Sequence, residues 1–140
     1  MAHQAEDVDR FLAQHNRGVL ATVKADGRPQ LSNVLYAVVD GEVWVSTTTD
    51  RAKTANLRRD PRASLHVTSE DFWTYLVVEG EATVSAEAAE PGDGVCRALL
   101  TLYDAAADEP HPDPEEFFAA MVAERRVLVA LRPTHRYPVR

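Results

Sequence analysis

An antiparallel β-barrel with short flanking helices is the fold class this sequence predicts. Three observations carry it. Apolar residues alternate over several short runs: Val43 and Val45 face one way against Trp44 and Ser46, and Ala63, Leu65 and Val67 share a face. Tight-turn signals, Asp26-Gly27 and Asp40-Gly41, punctuate the early runs. The connections between those runs are too short for the helical crossover that parallel strands need. No Gly-x-Gly-x-x-Gly follows a strand, so a Rossmann site is unsupported.

Taken in order, residues 4–16 read as a helix, with Val8, Phe11 and Leu12 on one side. Val19 to Lys24 is a strand, and Gly27 supplies the positive φ of the turn after it. Pro29 stands at the mouth of the next strand, Gln30 to Val39, where a missing N–H is tolerated. Glu42 to Thr48 is its return strand. Asp50 is an N-cap residue type for a helix from Arg51 to Arg59, which Asp60-Pro61 stops. Arg62 to Thr68 is a strand, and Phe72 to Ala86 is a long strand with a bulge or corner at Glu79-Gly80. Pro91 opens a helix carrying Val95, Leu99 and Leu102, and residues 104–116 read as a solvated acidic loop. Glu115 to Glu124 is a further helix, Arg126 to Arg132 a last strand, and the tail to Arg140 irregular. That makes about six strands and three or four helices.

The 140 residues suit one domain, 1–140, and not two cores. With 22 acids against 15 Lys and Arg, the net charge of -7 disfavours a generic nucleic-acid binder. No apolar run approaches the roughly 20 residues of a membrane span. The lone Cys96 permits no intrachain disulfide, and the polar N-terminus lacks the apolar core of a signal peptide; both predict a cytoplasmic protein. His3, His15, His66, His111 and His135 show no metal-ligand spacing and complete no catalytic triad. No carboxylate pair suggests hydrolytic acid–base work, so no catalytic side chain is assigned and the reactive group of any enzyme here belongs to a cofactor.

One segment departs from the acidic average. The helix after the Glu42–Thr48 strand opens a stretch holding Arg51, Lys53, Arg58, Arg59 and Arg62. Cations in a first helical turn oppose the helix dipole, and a bound phosphate compensates them. Thr48 and Thr49 add hydroxyls. Three readings stay open on spacing alone: a phosphate site, a solvated helix, or a nucleic-acid patch. Upstream, Arg28, Gln30, Ser32 and Asn33 make a polar strand start that suits either a cavity wall or an edge in water. Phe72, Trp73 and Tyr75 read as core, interface or ring contact, and Trp44 as core.

The runs GVLATVKADGRPQLSNV, RAKTANLRRDPRASLHV and DFWTYLVVEGEATV, with the ending RRVLVALRPTHRY, resemble the deazaflavin-dependent branch of the pyridoxamine 5'-phosphate oxidase-like family, over roughly residues 8–137. The resemblance implies a split β-barrel of the FMN-binding type, paired as a homodimer with cofactor sites between the subunits. It implies coenzyme F420 as cofactor and hydride transfer to a small organic acceptor such as an enone, quinone or tetrapyrrole. Relatives that bind FMN or haem keep an FMN-dependent enzyme open, and a non-catalytic F420 carrier is the third reading. By position, the resemblance assigns Arg51, Lys53 and Thr54 to the phosphate and Arg28, Gln30 and Ser32 to the cofactor groove. Asn33 lies beside these, and Trp73 matches an aromatic on the dimer side. Arg58 and Arg59 would suit the anionic tail of F420. Tyr36 and Tyr75 are candidate proton donors.

Overall fold

The computed structural model describes residues 2–136, with side chains from residue 7 onward. The side chain of His3 and the tail from Tyr137 to Arg140 lie outside the described residues. The elements are α1 (Ala2–Gln14), β1 (Arg17–Val23), β2 (Pro29–Leu35), β3 (Ala37–Val39), β4 (Glu42–Thr48), α2 (Ala52–Arg59), β5 (Arg62–Thr68), β6 (Tyr75–Val84), α3 (Gly94–Ala107), α4 (Pro114–Ala123) and β7 (Arg126–Arg136).

All seven strands form one antiparallel sheet in the order β2-β1-β5-β6-β7-β4-β3. Its two edge strands, β2 and β3, are consecutive in the chain and separated only by Tyr36. The sheet therefore has to curl until those two strands come end to end at Tyr36, and the result is a half-barrel with four flanking helices. Tyr36 is the seam. Its side chain is fully buried, its hydroxyl donates to the Leu12 carbonyl at 2.7 Å, and its N–H donates to the Asn16 carbonyl at 2.9 Å. Those bonds interrupt the ladder, which is why the expected single strand from Gln30 to Val39 is two.

The period-two pattern fills the barrel as read. Val43, Val45, Leu65, Val67, Val129 and Leu131 form its interior with Leu20, Leu76 and Val78. Val8 and Leu12 of α1 and Leu57 of α2 plug it. A second apolar cluster lies outside the sheet, where Leu99, Leu102 and Phe117 of α3 and α4 pack with Trp44 and Leu128. Trp44 is thus half-buried against the helices, not inside the barrel.

Several boundaries differ from expectation. The acidic segment 104–116 is mostly helix, because Ala105 to Ala107 continue α3 and Pro114 already stands at the start of α4. Asp108, in a left-handed conformation, ends α3, and Asp113 caps α4 by accepting from the Glu116 N–H at 3.1 Å. Pro91 lies in a turn before α3, not in it. The strand expected from Phe72 begins at Tyr75, since Ser69 to Thr74 close a turn with Phe72 at φ 77. The last strand runs on to Arg136 by pairing with β6.

The cap of α3 carries a pH dependence. Asp93 accepts from the N–H groups of Cys96 (2.9 Å), Ala89 (2.9 Å) and Glu90 (3.1 Å). Those donors hold its carboxyl well below the usual carboxylate range. A depressed pKa gives stability that is present above the unfolded value, about 3.9, and lost as pH falls toward the folded one. Asp93→Asn should therefore melt lower than wild type at neutral pH, with the gap closing below about pH 4. A gap that is absent, or flat with pH in thermal melts, would show that the charge on this cap contributes nothing.

Candidate functional site

Where β4 ends and α2 begins, the chain turns without the expected cap. Arg51, not Asp50, occupies the N-cap position, and no side chain caps the helix. Asp50 instead accepts from the Thr48 hydroxyl at 2.5 Å, which lowers its pKa. The first turn of α2 thus presents its dipole end with Arg51 and Lys53 beside it.

Lys53 lines a cavity of about 360 Å³. β4 and β7 pair antiparallel with Thr48 opposite Arg126 and Ser46 opposite Leu128, so Arg126 starts β7 on the sheet face that carries Ser46. Ser46 and Arg126 line the same cavity, and Asn33 enters it from β2. The remaining wall is apolar and aromatic, chiefly Leu99, Tyr103, Phe117 and Met121 from α3 and α4. Tyr103 meets His111 at 4.9 Å and Phe117 at 5.5 Å between ring centres, so the aromatic wall is braced from behind.

Among the described residues, no carboxylate lines this cavity, although the chain is acidic overall. Among the described residues, neither Lys53 nor Arg51 is ion-paired. Burial first, and then the charges of Arg51 and Arg126, pull the Lys53 pKa below that of an ordinary lysine. An anion at this point would relieve both costs. Another cavity, of about 590 Å³, is lined by residues of β1, β5 and β6. It mixes Arg62 with Glu79 and Glu81 and is a poor home for a phosphate.

The structure gathers only part of the residues named from sequence. Asn33 and Lys53 share the cavity, and Arg51 flanks it electrostatically. Thr54 is fully buried and donates to the Thr48 carbonyl at 2.8 Å, so it ties α2 to β4. Gln30 and Ser32 face away from Asn33. They end a hydrogen-bond chain in which Asn56 donates to Thr22 (3.1 Å), Thr22 to Gln30 (3.2 Å) and Gln30 to Ser32 (3.0 Å), clamping α2 to the β1–β2 hairpin. Arg28 is exposed beside Asp26. Arg58 donates to the Thr49 hydroxyl at 2.8 Å, and Arg59 is spent on the Val23 carbonyl at 2.7 Å. Trp73 stands in solvent, 76% exposed, with Phe72 against it at 5.0 Å.

Tyr36 is corrected as a proton donor: it is sealed in the seam, and burial pushes its pKa up. Tyr75 stacks on His66 at 5.3 Å, outside the cavity lining. Tyr103, unnamed from sequence, is the phenol that lines the cavity. Its signal was the helical spacing of Leu99, Leu102, Tyr103 and Ala106. Cys96 is buried with its thiol pKa raised, which suits packing and not nucleophilic attack. No group of three metal-binding side chains occurs among the described residues. Among them, too, no helix is long and apolar enough to cross a membrane.

The curled antiparallel half-barrel is that of a split-barrel protein, and the family match places it in the oxidoreductase and cofactor-binding class. Residues 5–139 match the pyridoxamine 5'-phosphate oxidase family, and the chain belongs to it. Solved structures agree. An F420 reductase is 27% identical, with a TM-score of 0.70, covering 92% of this chain and 94% of that one. A conserved hypothetical protein from Mycobacterium tuberculosis is 29% identical, with a TM-score of 0.75 and coverage of 95% and 81%. A heme binding protein from Mycobacterium smegmatis shares the fold at 23% identity, with a TM-score of 0.71 and coverage of 95% and 52%.

Proposed function

We propose that this chain is a coenzyme F420-dependent reductase working as a homodimer on a small organic acceptor. The observation that carries the proposal is the carboxylate-free cationic end of the cavity, where half-buried Lys53 lacks a counter-ion among the described residues. The similarity to an F420 reductase supports the choice of cofactor. F420, when bound, supplies hydride from carbon five of its deazaflavin ring. The residues of this chain have three tasks. Lys53, with Arg51, holds the phosphate. Leu99, Phe117 and Met121 give a flat body an apolar wall and keep water away. Tyr103 and Ser46 offer hydroxyls to charge that develops on an acceptor.

The outer surface supports a dimer. Leu31, Leu35, Phe72 and Trp73 are each more than 60% exposed, and Leu31 and Leu35 share the solvent-facing side of an edge strand. A second copy covering them would bury apolar surface and close that edge. Light scattering at micromolar concentration is expected to report a dimer, and a monomer in the presence of cofactor would overturn this part.

Purified apo-protein titrated with F420 and FMN should prefer F420. Coenzyme deuterated at ring carbon five should then pass deuterium to an enone, quinone or tetrapyrrole, and a chelator and Cys96→Ala should leave that transfer intact. Preference for FMN would move the protein to the flavin branch. Tight F420 binding with no transfer to any acceptor would make it a carrier.

A further inference from the structure

We infer that Arg126 is a further anion ligand of the proposed cofactor site, held in reserve by Glu124 until the anion arrives. This rests on the F420 reading above and adds a residue and a device to it. Arg126 lines the cavity with Lys53, yet its guanidinium is engaged: Nε and one terminal nitrogen both donate to the same Glu124 oxygen, at 3.0 and 2.8 Å. Glu124 does not line the cavity. It ends α4, and Arg125, at φ 55, reverses the chain so that Arg126 opens β7. The counter-ion is thus placed outside the cavity and its arginine inside.

The arrangement has a physical logic. Two cations facing one half-buried space repel each other; the Lys53 pKa is lowered by burial first, then by Arg51, and then by Arg126. A carboxylate just outside partly neutralises Arg126 without filling the space meant for ligand. The pair is well short of full burial, with side chains 30% and 46% exposed, so it is held weakly and can exchange. Both donors of Arg126 sit on one Glu124 oxygen. A phosphate offers its oxygens to the same planar fork in a two-pronged geometry, which is the stronger contact. Binding therefore swaps a carboxylate for a phosphate, and Glu124 competes with the ligand.

The test measures F420 dissociation constants by calorimetry on apo-protein, with no turnover required. Arg126→Gln should weaken binding about tenfold, the effect of one charge-assisted contact in a half-exposed site. Glu124→Gln should tighten binding about two- to fivefold by removing the competitor. In the double variant the gain from Glu124→Gln should vanish, because it acts only through Arg126. A Glu124→Gln gain of equal size in the Arg126→Gln background would reveal a general field effect and overturn the proposal. So would an unchanged constant in Arg126→Gln. If Arg126→Gln fails to fold, Glu124→Gln alone decides, and unchanged affinity there refutes the idea. Lys53→Ala separates the two levels. If it weakens binding while Arg126→Gln does not, the inference falls and the F420 site stands; if wild type binds no F420, the F420 reading itself falls.

Discussion

Replacing Gly80 with alanine is expected to destabilise the fold by roughly 3 kcal/mol or more, at the upper end of overpacking costs. Gly80 sits at the bulge of β6, where the register against β7 slips between Glu79 and Gly80. A Cβ there would lie 2.0 Å from the Arg132 carbonyl oxygen, 2.8 Å from its carbon and 3.1 Å from the Pro133 Cα. These are backbone atoms, so no side-chain rotation relieves the overlap. β6 pairs with β5 on one side and β7 on the other, so displacing one strand disturbs the middle of the sheet. Gly94→Ala is the control. It stands at the first position of α3 with nothing within 4 Å of the added methyl, and alanine favours a helix by up to about 1 kcal/mol. Urea titrations should give a much lower midpoint for Gly80→Ala and an equal or higher one for Gly94→Ala. A Gly80→Ala midpoint matching wild type would mean that the bulge tolerates a side chain.

Gly80 also shows which features the sequence makes legible. A glycine inside an alternating apolar run has few explanations, and a bulge is the chief one. The barrel interior was readable for a similar reason, since Val43, Val45, Leu65 and Val67 follow a rule of local period. Lys53 stands out in the sequence because a first-turn cation is a local anomaly. What the sequence concealed depends on pairing across distance. Arg126 joins Lys53 only through the register of β4 with β7, and no local pattern announces that register. The wall from α3 and α4 was hidden by composition, because the acids between Asp104 and Glu116 masked the alanines that extend α3. Thr54, Gln30 and Ser32 differ again. The resemblance assigns Thr54 to the phosphate and Gln30 and Ser32 to the cofactor groove, while in this chain their hydrogen bonds run inward and hold α2 against the sheet. Polar residues near a site divide between those that touch the ligand and those that fix the touching residues. Only the geometry tells them apart.

Lys53→Ala is expected to weaken F420 binding by about 1.5–3 kcal/mol, or roughly 10- to 150-fold in the dissociation constant, the range for a hydrogen bond to a charged group. What makes this diagnostic is the behaviour of the ligand-free protein. An ordinary structural lysine loses a partner when it is removed. Lys53 is ion-paired to no carboxylate among the described residues, and it is opposed by burial and by Arg51 and Arg126. Its removal should therefore leave the melting temperature of apo-protein unchanged or slightly higher, while the stabilisation that added F420 confers shrinks. Lys53→Arg keeps the charge but replaces a compact ammonium by a broad fork, and should retain part of the affinity. Salt should weaken wild-type binding more steeply than that of Lys53→Ala, because one fewer charge is neutralised in the variant, although exposed contacts are screened in both. A folded Lys53→Ala protein with an unchanged dissociation constant would remove the anchor from the site. A variant that lost both stability and affinity together would instead make Lys53 a structural residue, and the carboxylate-free cavity would need another explanation.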